Sequence, residues 1–275
     1  MSNFICVTCG MQYDDTGDSP PPRCSICDDE RQYVPLDGQR WTTLEQLQAT
    51  HHNEFRRHED NLVGIGTAPA FAIGQRALLI TTPDGNVLWD CISLLDEFTK
   101  RTVRALGGVS AIAISHPHYY SSLVEWSEAF EAPVYLHSGD REWVMRPSSS
   151  IVHWDGEQLD LLGGMRLVRG GGHFEGGTVL HVPFLADGRG ALLTGDIIQV
   201  IPDRNFVAFM YSYPNLIPLP AEKVTRVAAA TAPLEFDRIY GAWWDRVIPT
   251  GAKATVARSA ERYVAALQPE GLPTR

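Results

Sequence analysis

The chain has 275 residues, of which 44% are hydrophobic, and its formal net charge at pH 7 is −10. This composition is typical of a globular protein that is long enough to bury one large core and to carry a small additional module. The acidic charge argues against nucleic acid or an anionic membrane surface as a partner, since both require clustered Lys and Arg. Without a long apolar run or a basic-then-apolar leader, we expect a cytoplasmic protein that acts on a small molecule, and a homo-oligomer is compatible with the sequence.

Four cysteines near the N-terminus form two regular pairs, Cys6-x-x-Cys9 and Cys24-x-x-Cys27. Each pair can bind one side of a tetrahedral ion, and the loop between them is rich in Gly, Pro and Asp, as in a zinc ribbon or rubredoxin-like module. The pattern predicts a structural zinc bound by all four cysteines. Iron in the same cage is the main rival, whereas paired disulfides do not suit a cytoplasmic chain. Acidic side chains outnumber basic ones in residues 1–35, so this module should repel nucleic-acid phosphates.

Residues 42–58 show apolar or aromatic side chains at helical spacing. Thr42 with Glu45 fits a capping box, and the pattern predicts a helix over Thr42–His58. The histidines in this stretch are expected to be solvated rather than metal ligands: His51, His52 and His58. The predicted organisation is a zinc ribbon (1–35), a helical linker (36–68) and a main domain (69–275).

Short apolar strands separated by turns begin near residue 70. The sequence predicts them at Phe71–Ile73, Ala77–Thr81 and Val87–Asp90. A hairpin turn is predicted before the last of these strands, and a helix is predicted over residues 93–106. A strand, a helix and a further strand in succession indicate a layered α/β sheet. Cys91 is expected to be a small buried residue rather than a reactive thiol.

Two histidines follow the end of the next apolar strand, Ala111–Ile114. His116 and His118 are two residues apart, so their side chains point the same way on an extended segment, and Pro117 stiffens the turn. Two imidazoles arranged in this way can bind one metal ion. Two loop histidines at a strand end would show the same pattern, so the assignment depends on further ligands.

Two downstream stretches supply such ligands. The run Gly170-Gly171-Gly172-His173 places a third histidine in a glycine-rich turn, and the apolar strand Ala191–Gly195 is followed by Asp196. Upstream, an apolar strand ends on Asp90. In this order and spacing the stretches resemble the metallo-β-lactamase superfamily, over roughly residues 68 to 248.

The resemblance implies an α/β fold, the αββα metallo-β-lactamase sandwich, with the small N-terminal zinc ribbon attached to it. It implies a metal site in which Asp196 bridges and three histidines bind: His116, His118 and His173. It also implies that Asp90 orients the histidine loop through hydrogen bonds without binding the metal. Three neutral imidazoles with a water or carboxylate suit zinc, and iron or manganese also fits this ligand type.

The sequence departs from the superfamily at the second metal. In the signature His-x-His-x-Asp-His, the aspartate and the last histidine are replaced here by Tyr120 and Ser121. The superfamily's final ligand, a histidine after a glycine, has no counterpart in Tyr240-Gly241-Ala242. Because the resemblance assigns these missing residues to the second ion, one metal ion rather than two is predicted.

Several polar residues leave alternatives open. Glu125, in a helix predicted over residues 121–130, is either a solvated helix residue or close enough to reach the emptied second-metal position. His137 and Asp140 follow a strand predicted at Pro133–Leu136, and they are either residues at the rim of a pocket or ordinary polar surface residues.

The C-terminal part contains an aromatic segment, Asn205–Pro220. The sequence leaves three alternatives open for it: a lid or hairpin over the metal, a dimer contact, or part of the core. In the first alternative the segment places four aromatic side chains over the metal: Phe206, Phe209, Tyr211 and Tyr213. Helices are predicted at Ala221–Ala230 and Lys253–Leu267, followed by a polar tail, Gln268–Arg275.

The predicted site indicates hydrolysis. Zinc held by three histidines lowers the pKa of water toward neutrality and polarises a carbonyl. We therefore predict a single-metal hydrolase of small esters, thioesters, lactones or amides, in which Asp196 binds or orients the water and Tyr120 donates a hydrogen bond to the oxyanion. Two alternatives remain: a catalytically impaired relative that binds a small molecule or a protein, and a redox protein with iron at both sites.

Overall fold

The computed structural model describes residues 3–268. The chain forms two compact units, Met1–Trp154 and Asp155–Arg275. The N-terminal unit begins with the cysteine module, residues 3–42, which is called the ribbon. Its short elements, and the helix that follows them, are β1 (Ile5–Cys6), α1 (Ser25–Asp28), β2 (Trp41–Thr42) and α2 (Leu44–Gln48). Strands β1 and β2 pair antiparallel, so residues from both ends of the module lie side by side.

A seven-stranded sheet forms the centre of the N-terminal unit, and its strands follow one another in chain order. The strands are β3 (His52–Glu59), β4 (Leu62–Ala68), β5 (Arg76–Ile80), β6 (Val87–Trp89), β7 (Ala111–Ala113), β8 (Val134–His137) and β9 (Ile151–Trp154). Strands β3 to β6 pair antiparallel, and β6 to β9 pair parallel. The parallel strands are linked through α3 (Glu97–Ala105) and α4 (Leu123–Phe130). Every residue of β5, β6 and β7 is buried. This burial explains why β6, β7 and residues 77–80 of β5 are continuous apolar runs rather than alternating patterns.

The helix predicted over Thr42–His58 is wrong beyond its first turns. Its capping box lies one residue later, with Thr43 and Gln46, and the helix ends at Gln48. The remainder is β3, which pairs antiparallel with β4. The apolar β4 needs a partner on each side, and this pairing overrides the weak helical spacing of residues 52–58. The predicted domain limits, 1–35, 36–68 and 69–275, stay predictions.

The predictions for the rest of this unit are mostly confirmed. The predicted hairpin turn joins β5 to β6. The strands predicted at Ala77–Thr81, Val87–Asp90 and Ala111–Ile114 are present as β5, β6 and β7. Helix α3 lies inside its predicted range. The side chain of Asp96 accepts a hydrogen bond from the backbone N–H of Thr99, which caps α3. The strand predicted at Phe71–Ile73 is wrong, because the chain turns there with Ala72 in a left-handed conformation (φ 51°).

A six-stranded sheet forms the centre of the C-terminal unit, with the order β10-β11-β12-β13-β18-β19. The strands of this unit are β10 (Gln158–Asp160), β11 (Arg166–Arg169), β12 (Thr178–Val182), β13 (Ala191–Gly195), β14 (Gln199–Val200), β15 (Val207–Ala208), β16 (Met210–Ser212), β17 (Ile217–Pro218), β18 (Arg238–Gly241) and β19 (Val247–Ile248). Its helices, α5 (Ala221–Thr231) and α6 (Ala252–Ala266), confirm both helix predictions. In the predicted tail, residues 269–275 lie outside the described residues.

The aromatic segment, residues 205–220, contributes to the core of the C-terminal unit. It forms β15, β16 and β17, and Phe209 is fully buried in a cluster that includes Val224 and Ile239. Tyr211 packs against the same cluster. Of the three alternatives, the core assignment is confirmed for Phe209, while a lid or a dimer contact is untested. Within the described part of the chain, no helix combines the length and apolar character needed to cross a membrane.

We expect two nearby glycines to respond differently to substitution by alanine. Gly188 and Gly190 both have a positive φ, 79° and 82°. A Cβ at Gly190 would lie 2.2 Å from the backbone oxygen of Glu235, whereas a Cβ at Gly188 meets no atom within 4 Å. Gly188→Ala should lower the free energy of unfolding by about 1 kcal/mol, from backbone strain alone. Gly190→Ala should lower it by about 3 kcal/mol, because overlap adds to the strain.

Urea unfolding followed by circular dichroism measures this difference, with Gly188→Ala as the matched control. Equal losses in the two variants would contradict the close approach of the Gly190 backbone to Glu235.

Candidate metal centres

The four ribbon cysteines form a compact buried group, the cysteine cluster. Their sulfur atoms lie within 4.8 Å of one another. The Sγ–Sγ distances are 3.6 Å for Cys6 and Cys27 and 3.6 Å for Cys9 and Cys24. A tetrahedral zinc site with Zn–S bonds of about 2.3 Å places its sulfurs about 3.8 Å apart. All four cysteines are free, so the disulfide alternative is excluded and the predicted cluster is confirmed.

The backbone and two side chains of the ribbon support the cysteine cluster. In the first turn the N–H of Gly10, which has a φ of 83°, donates to the carbonyl of Cys6. Two side chains donate hydrogen bonds to sulfur: Gln39 Nε2 to Cys6 Sγ at 3.0 Å and Tyr13 Oη to Cys24 Sγ at 3.4 Å. Donors of this kind stabilise thiolates, which are the form of cysteine that binds a metal.

The loop after β7 carries His116 and His118. The two residues bracket the start of a 3₁₀ turn, Pro117–Tyr119, and both imidazoles are buried with ring centroids 5.1 Å apart. Asp90 holds the beginning of this loop: its carboxylate accepts a hydrogen bond of 2.8 Å from the N–H of Ser115. This contact is the one that a loop-orienting Asp90 requires, and its role toward a metal stays a prediction.

The ring of His116 is oriented by its neighbours. Ser115 Oγ lies 2.9 Å from His116 Nδ1, and the Tyr119 ring packs against the imidazole at a centroid distance of 4.5 Å. With Nδ1 engaged by Ser115, Nε2 is the nitrogen suited to bind a metal. Sequence reasoning missed both neighbours. The sequence could have indicated Ser115, because it is the polar residue between the apolar strand and His116.

His173 lies in the glycine-rich turn of the C-terminal unit. A Cβ at Gly172 would lie only 3.0 Å from Leu219 and 3.1 Å from Val227, so glycine lets the turn pack directly on the core. His173 Nδ1 lies 3.2 Å from the carbonyl oxygen of Met210. A carbonyl only accepts, so Nδ1 carries the proton and the lone pair lies on Nε2, the form in which a histidine binds a metal.

Asp196 follows β13 directly and is 4% exposed. Its backbone carbonyl accepts a hydrogen bond of 2.7 Å from Tyr213 Oη, and the Tyr213 ring lies 5.6 Å from that of His173. Burial, and then the charge of Asp196, raise the pKa of the Tyr213 phenol well above its usual range. Tyr213 therefore remains a hydrogen-bond donor at neutral pH and fixes the backbone beside the carboxylate.

Three imidazoles and one carboxylate come together in a second buried group, the histidine cluster. One ligand atom from each residue lies within 4.8 Å of the others in the set His116, His118, His173 and Asp196. The prediction that these residues converge is confirmed. Nitrogen and carboxylate donors fit zinc, and iron and manganese accept the same donors. This chemistry supports a metal cofactor.

Tyr120 is buried, at 2% exposure. Burial, and then the charge of Asp140, raise the pKa of its phenol well above the usual range. The phenol therefore stays protonated at neutral pH and can donate a hydrogen bond. Tyr120 also lines a small cavity together with the ribbon residues Met11 and Gln12. The catalytic roles of Tyr120 and Asp196 stay predictions.

The structure resolves some of the alternatives for the other polar residues. Glu125 forms an ion pair of 2.7 Å with Arg146, so it is not simply a solvated helix residue. His137 and Asp140 are buried, which excludes the surface assignment and leaves the pocket-rim assignment untested. Cys91 is fully buried, as predicted, and burial raises its pKa well above the usual range.

The histidines predicted to be solvated on a helix are not on one. His52 and His58 are in β3 and His51 precedes it. His58 lies 2.7 Å from an Arg76 guanidinium nitrogen, and burial together with this positive charge lowers its pKa to about 4. His58 therefore stays neutral at physiological pH.

No family model matches the chain. Over 272 residues it is 53% identical to the uncharacterized protein YmaE of Bacillus subtilis (strain 168), and the match covers 98% of each protein. The structure is similar to FIM-1 metallo-β-lactamase from Pseudomonas aeruginosa in its mono-zinc form (TM-score 0.56, 13% identity, covering 77% of this chain and 96% of the other). It is also similar to a metallo-β-lactamase from Erythrobacter litoralis (TM-score 0.55, 19% identity, covering 76% and 96%).

These similarities show that the protein has the metallo-β-lactamase fold, which confirms the predicted α/β class and αββα sandwich. The cysteine and histidine clusters are the metal-binding groups found in the described part of the chain. The chain belongs to the same family as B. subtilis YmaE.

The two clusters predict the metal content of the protein. Purified without added metal, the parent should contain two metal ions per chain, because each cluster supplies a complete donor set. A His116→Ala, His118→Ala double variant should contain one, since the cysteine cluster is unchanged. Elemental mass spectrometry measures both values.

A His51→Ala, His52→Ala double variant is the matched control, because these neighbouring histidines lie outside both clusters, and it should keep two ions. One ion in the parent and in the His116/His118 variant alike would show that the histidine cluster binds no metal in the isolated protein.

Proposed function

We propose that the protein is a metal-dependent hydrolase acting on a small ester, thioester, lactone or amide at a single metal ion. The observation that carries this proposal is the histidine cluster: three buried imidazoles and a buried carboxylate, converging on a metallo-β-lactamase fold. The similarity to a metallo-β-lactamase in its mono-zinc form supports a one-ion site on this fold. The expected substrate is a small molecule, in line with the acidic net charge.

The residues at the second-metal positions support a single ion. The phenol of Tyr120 is protonated at neutral pH because burial raises its pKa. The hydroxyl of Ser121 accepts a hydrogen bond of 3.1 Å from Gln75 Nε2. Ala242 stands where the superfamily has its final histidine, and a methyl group cannot bind a metal. None of these three side chains offers the ionised carboxylate or imidazole that a second divalent ion needs.

The chemistry follows from the donor set and from the groups around it. A divalent ion bound there supplies a Lewis acid that polarises the substrate carbonyl and lowers the pKa of water. His173 keeps its metal-binding tautomer through the Met210 carbonyl, and Asp196 orients the attacking water. The phenol of Tyr120 donates a hydrogen bond to the developing oxyanion. Burial strengthens each of these interactions, because the local dielectric is low.

The metals proposed are zinc in the cysteine cluster and zinc in the histidine cluster, with iron or manganese as the other candidates for the histidine cluster. The cysteine spacing of 3.6 Å supports zinc, although four-thiolate iron shares this geometry. A structural role suits the cysteine cluster, because four protein ligands leave no open position for a substrate.

A second candidate function is binding without catalysis. It is favoured by one observation: Tyr120, where the superfamily has a carboxylate, lines a cavity with the ribbon residues Met11 and Gln12. If the ring of Tyr120 serves only to pack in that cavity, the metal site lacks the carboxylate that the superfamily has at this position. Under this alternative the protein binds a small molecule or a protein through the same fold.

Removal of the histidine ligands should abolish hydrolysis. The parent is assayed against p-nitrophenyl acetate, an acyl-CoA thioester, a γ-lactone and an anilide. His116→Ala should lower kcat/KM for the accepted substrate at least about 1,000-fold, since the Lewis acid is lost, while His51→Ala should leave kcat/KM unchanged. Absence of turnover by the fully loaded parent on every class would favour the binding alternative.

Substitution Tyr120→Phe tests the oxyanion role. It removes only the hydroxyl and keeps the ring in its cavity, so folding should be preserved. If the phenol acts in the transition state, kcat should fall about 100-fold with KM little changed. Steady-state kinetics at full metal loading measure this, with Tyr135→Phe, a half-buried tyrosine of β8, as the control. An unchanged kcat would remove Tyr120 from the mechanism.

A further inference from the structure

The ribbon contacts the segment that follows the His116–His118 loop, and it does so mainly through backbone groups. The N–H of Gln12 donates a hydrogen bond of 3.1 Å to the carbonyl of Ser121. Ser93 Oγ donates to the carbonyl of Gly10 at 2.7 Å, and Ser122 Oγ donates to the carbonyl of Ser93 at 2.8 Å. Gly10 and Gln12 are thereby connected to Ser121 and Ser122 by two separate routes.

The side chain of Gln12 strengthens the first route. It is 2% exposed, its Nε2 donates to Glu125 Oε1 at 3.2 Å, and its Oε1 accepts from Arg146 Nη1 at 2.5 Å. Arg146 also binds Glu125 at 2.7 Å. Glu125 belongs to α4, the helix that begins just after the metal loop, so this three-residue network ties the ribbon to the helix as well as to the loop.

The fit at Gly10 is close. A Cβ there would lie 2.7 Å from Ser93 Oγ and 3.2 Å from the Cβ of Ala72, and the φ of Gly10 is 83°. The residues on either side are fixed by the cysteine cluster: the N–H of Gly10 donates to Cys6, and the N–H of Cys6 donates to Met11. The cluster therefore determines the position of the backbone that contacts the loop.

Ser121 needs such support. Its φ is 43°, a left-handed conformation that is strained for a non-glycine residue unless neighbouring contacts hold it. Its carbonyl is held by Gln12 and its hydroxyl by Gln75. Ser121 and Tyr120 are also two of the three positions at which this chain departs from the superfamily's second-metal ligands.

We propose that the ribbon positions the His116–His118 loop, with Gln12 and Ser93 as the positioning residues, and that this contact substitutes mechanically for the second metal ion. The proposal rests on the single-metal site proposed above. Where a second ion would fix Tyr120 and Ser121 through their side chains, the ribbon fixes the same segment through the carbonyl of Ser121. The cysteine cluster thus contributes to the affinity of the histidine cluster for its metal, because ligands held in place before binding lose less freedom on binding.

The first test is metal affinity in the full chain. Ser93→Ala removes the hydroxyl that forms the second route, and Gln12→Ala removes the side-chain hydrogen bonds that support the first route, whose backbone hydrogen bond remains. Both variants leave all eight metal ligands intact. Competition with a chromophoric chelator should show zinc binding to the histidine cluster weakened about tenfold in each variant, while elemental analysis still finds one zinc in the cysteine cluster.

Matched controls separate this effect from general loosening. Gln158→Ala replaces an exposed glutamine of β10, and Ser148→Ala removes a serine whose hydroxyl contacts Ser150. Both should keep the affinity of the histidine cluster within about twofold. An equal fall in the controls, or an unchanged affinity in Gln12→Ala and Ser93→Ala, would overturn the proposal.

A spectroscopic readout distinguishes positioning from stability. With zinc retained in the cysteine cluster and Co²⁺ titrated into the emptied histidine cluster, the visible d–d absorption reports ligand geometry. The two positioning variants should shift or weaken these bands relative to the parent. Unchanged bands, together with a lower melting temperature, would mean that the ribbon only stabilises the fold, which contradicts the proposal.

Amide hydrogen exchange keeps the proposal separate from the hydrolase assignment. The amides of residues 118–122 should exchange faster in Gln12→Ala and Ser93→Ala than in the controls, and this measurement needs neither turnover nor bound metal in the histidine cluster. If the parent binds no metal there, the proposed function fails, and the exchange rates alone decide whether the ribbon holds the loop. Equal exchange in the variants and the controls overturns the proposal in either case.

Discussion

Burial of three imidazoles and a carboxylate in one place is the constraint on which the rest of the structure depends. Each residue of the histidine cluster is at most 4% exposed. Polar groups removed from water destabilise a fold unless hydrogen bonds or a metal compensate. The surroundings of the cluster supply the hydrogen bonds: Ser115 for His116, the Met210 carbonyl for His173 and Tyr213 for the backbone of Asp196. The Met210 carbonyl also sets the tautomer of His173 that a metal requires, because a carbonyl only accepts a hydrogen bond.

The backbone around the histidine loop is fixed from several sides. Asp90 binds the N–H of Ser115 at the start of the loop, and the N–H of Cys91 donates to the carbonyl of Tyr119 within it. At its end, Ser121 is held by Gln75 and by the ribbon. A loop with so many fixed points presents its histidines in one arrangement, which favours metal binding over the conformational freedom that loops otherwise keep.

The contacts between the ribbon and the histidine loop give the ribbon a structural role. A module of this size buries too little apolar surface to fold by itself, so a metal ion bound by its four thiolates is needed for the remaining stabilisation. In return, Gly10 and Gln12 contact the polypeptide at the point where this chain lacks the superfamily's second-metal ligands. The two departures that the sequence shows, an added cysteine module and a missing second site, are adjacent in space at Ser121.

The sequence by itself determined the ligand sets, the fold class and most of the helices. The reason is physical: metal ligands must be particular residue types at strand ends and tight turns, and strands buried on both faces, such as β6 and β7, are continuously apolar. It failed for residues 52–58, where pairing with β4 overrode a helical spacing, and at residues 71–73, where the chain turns.

Only the tertiary structure decided which residues surround the ligands. Gln12 and Arg146 are 134 residues apart in sequence, yet they share a hydrogen bond beside the metal loop. No local pattern encodes such a contact, because it depends on how distant segments pack. For the same reason the sequence left Glu125 with two alternatives, and only the packing of the segment between β8 and β9 against α4 decided that Glu125 pairs with Arg146.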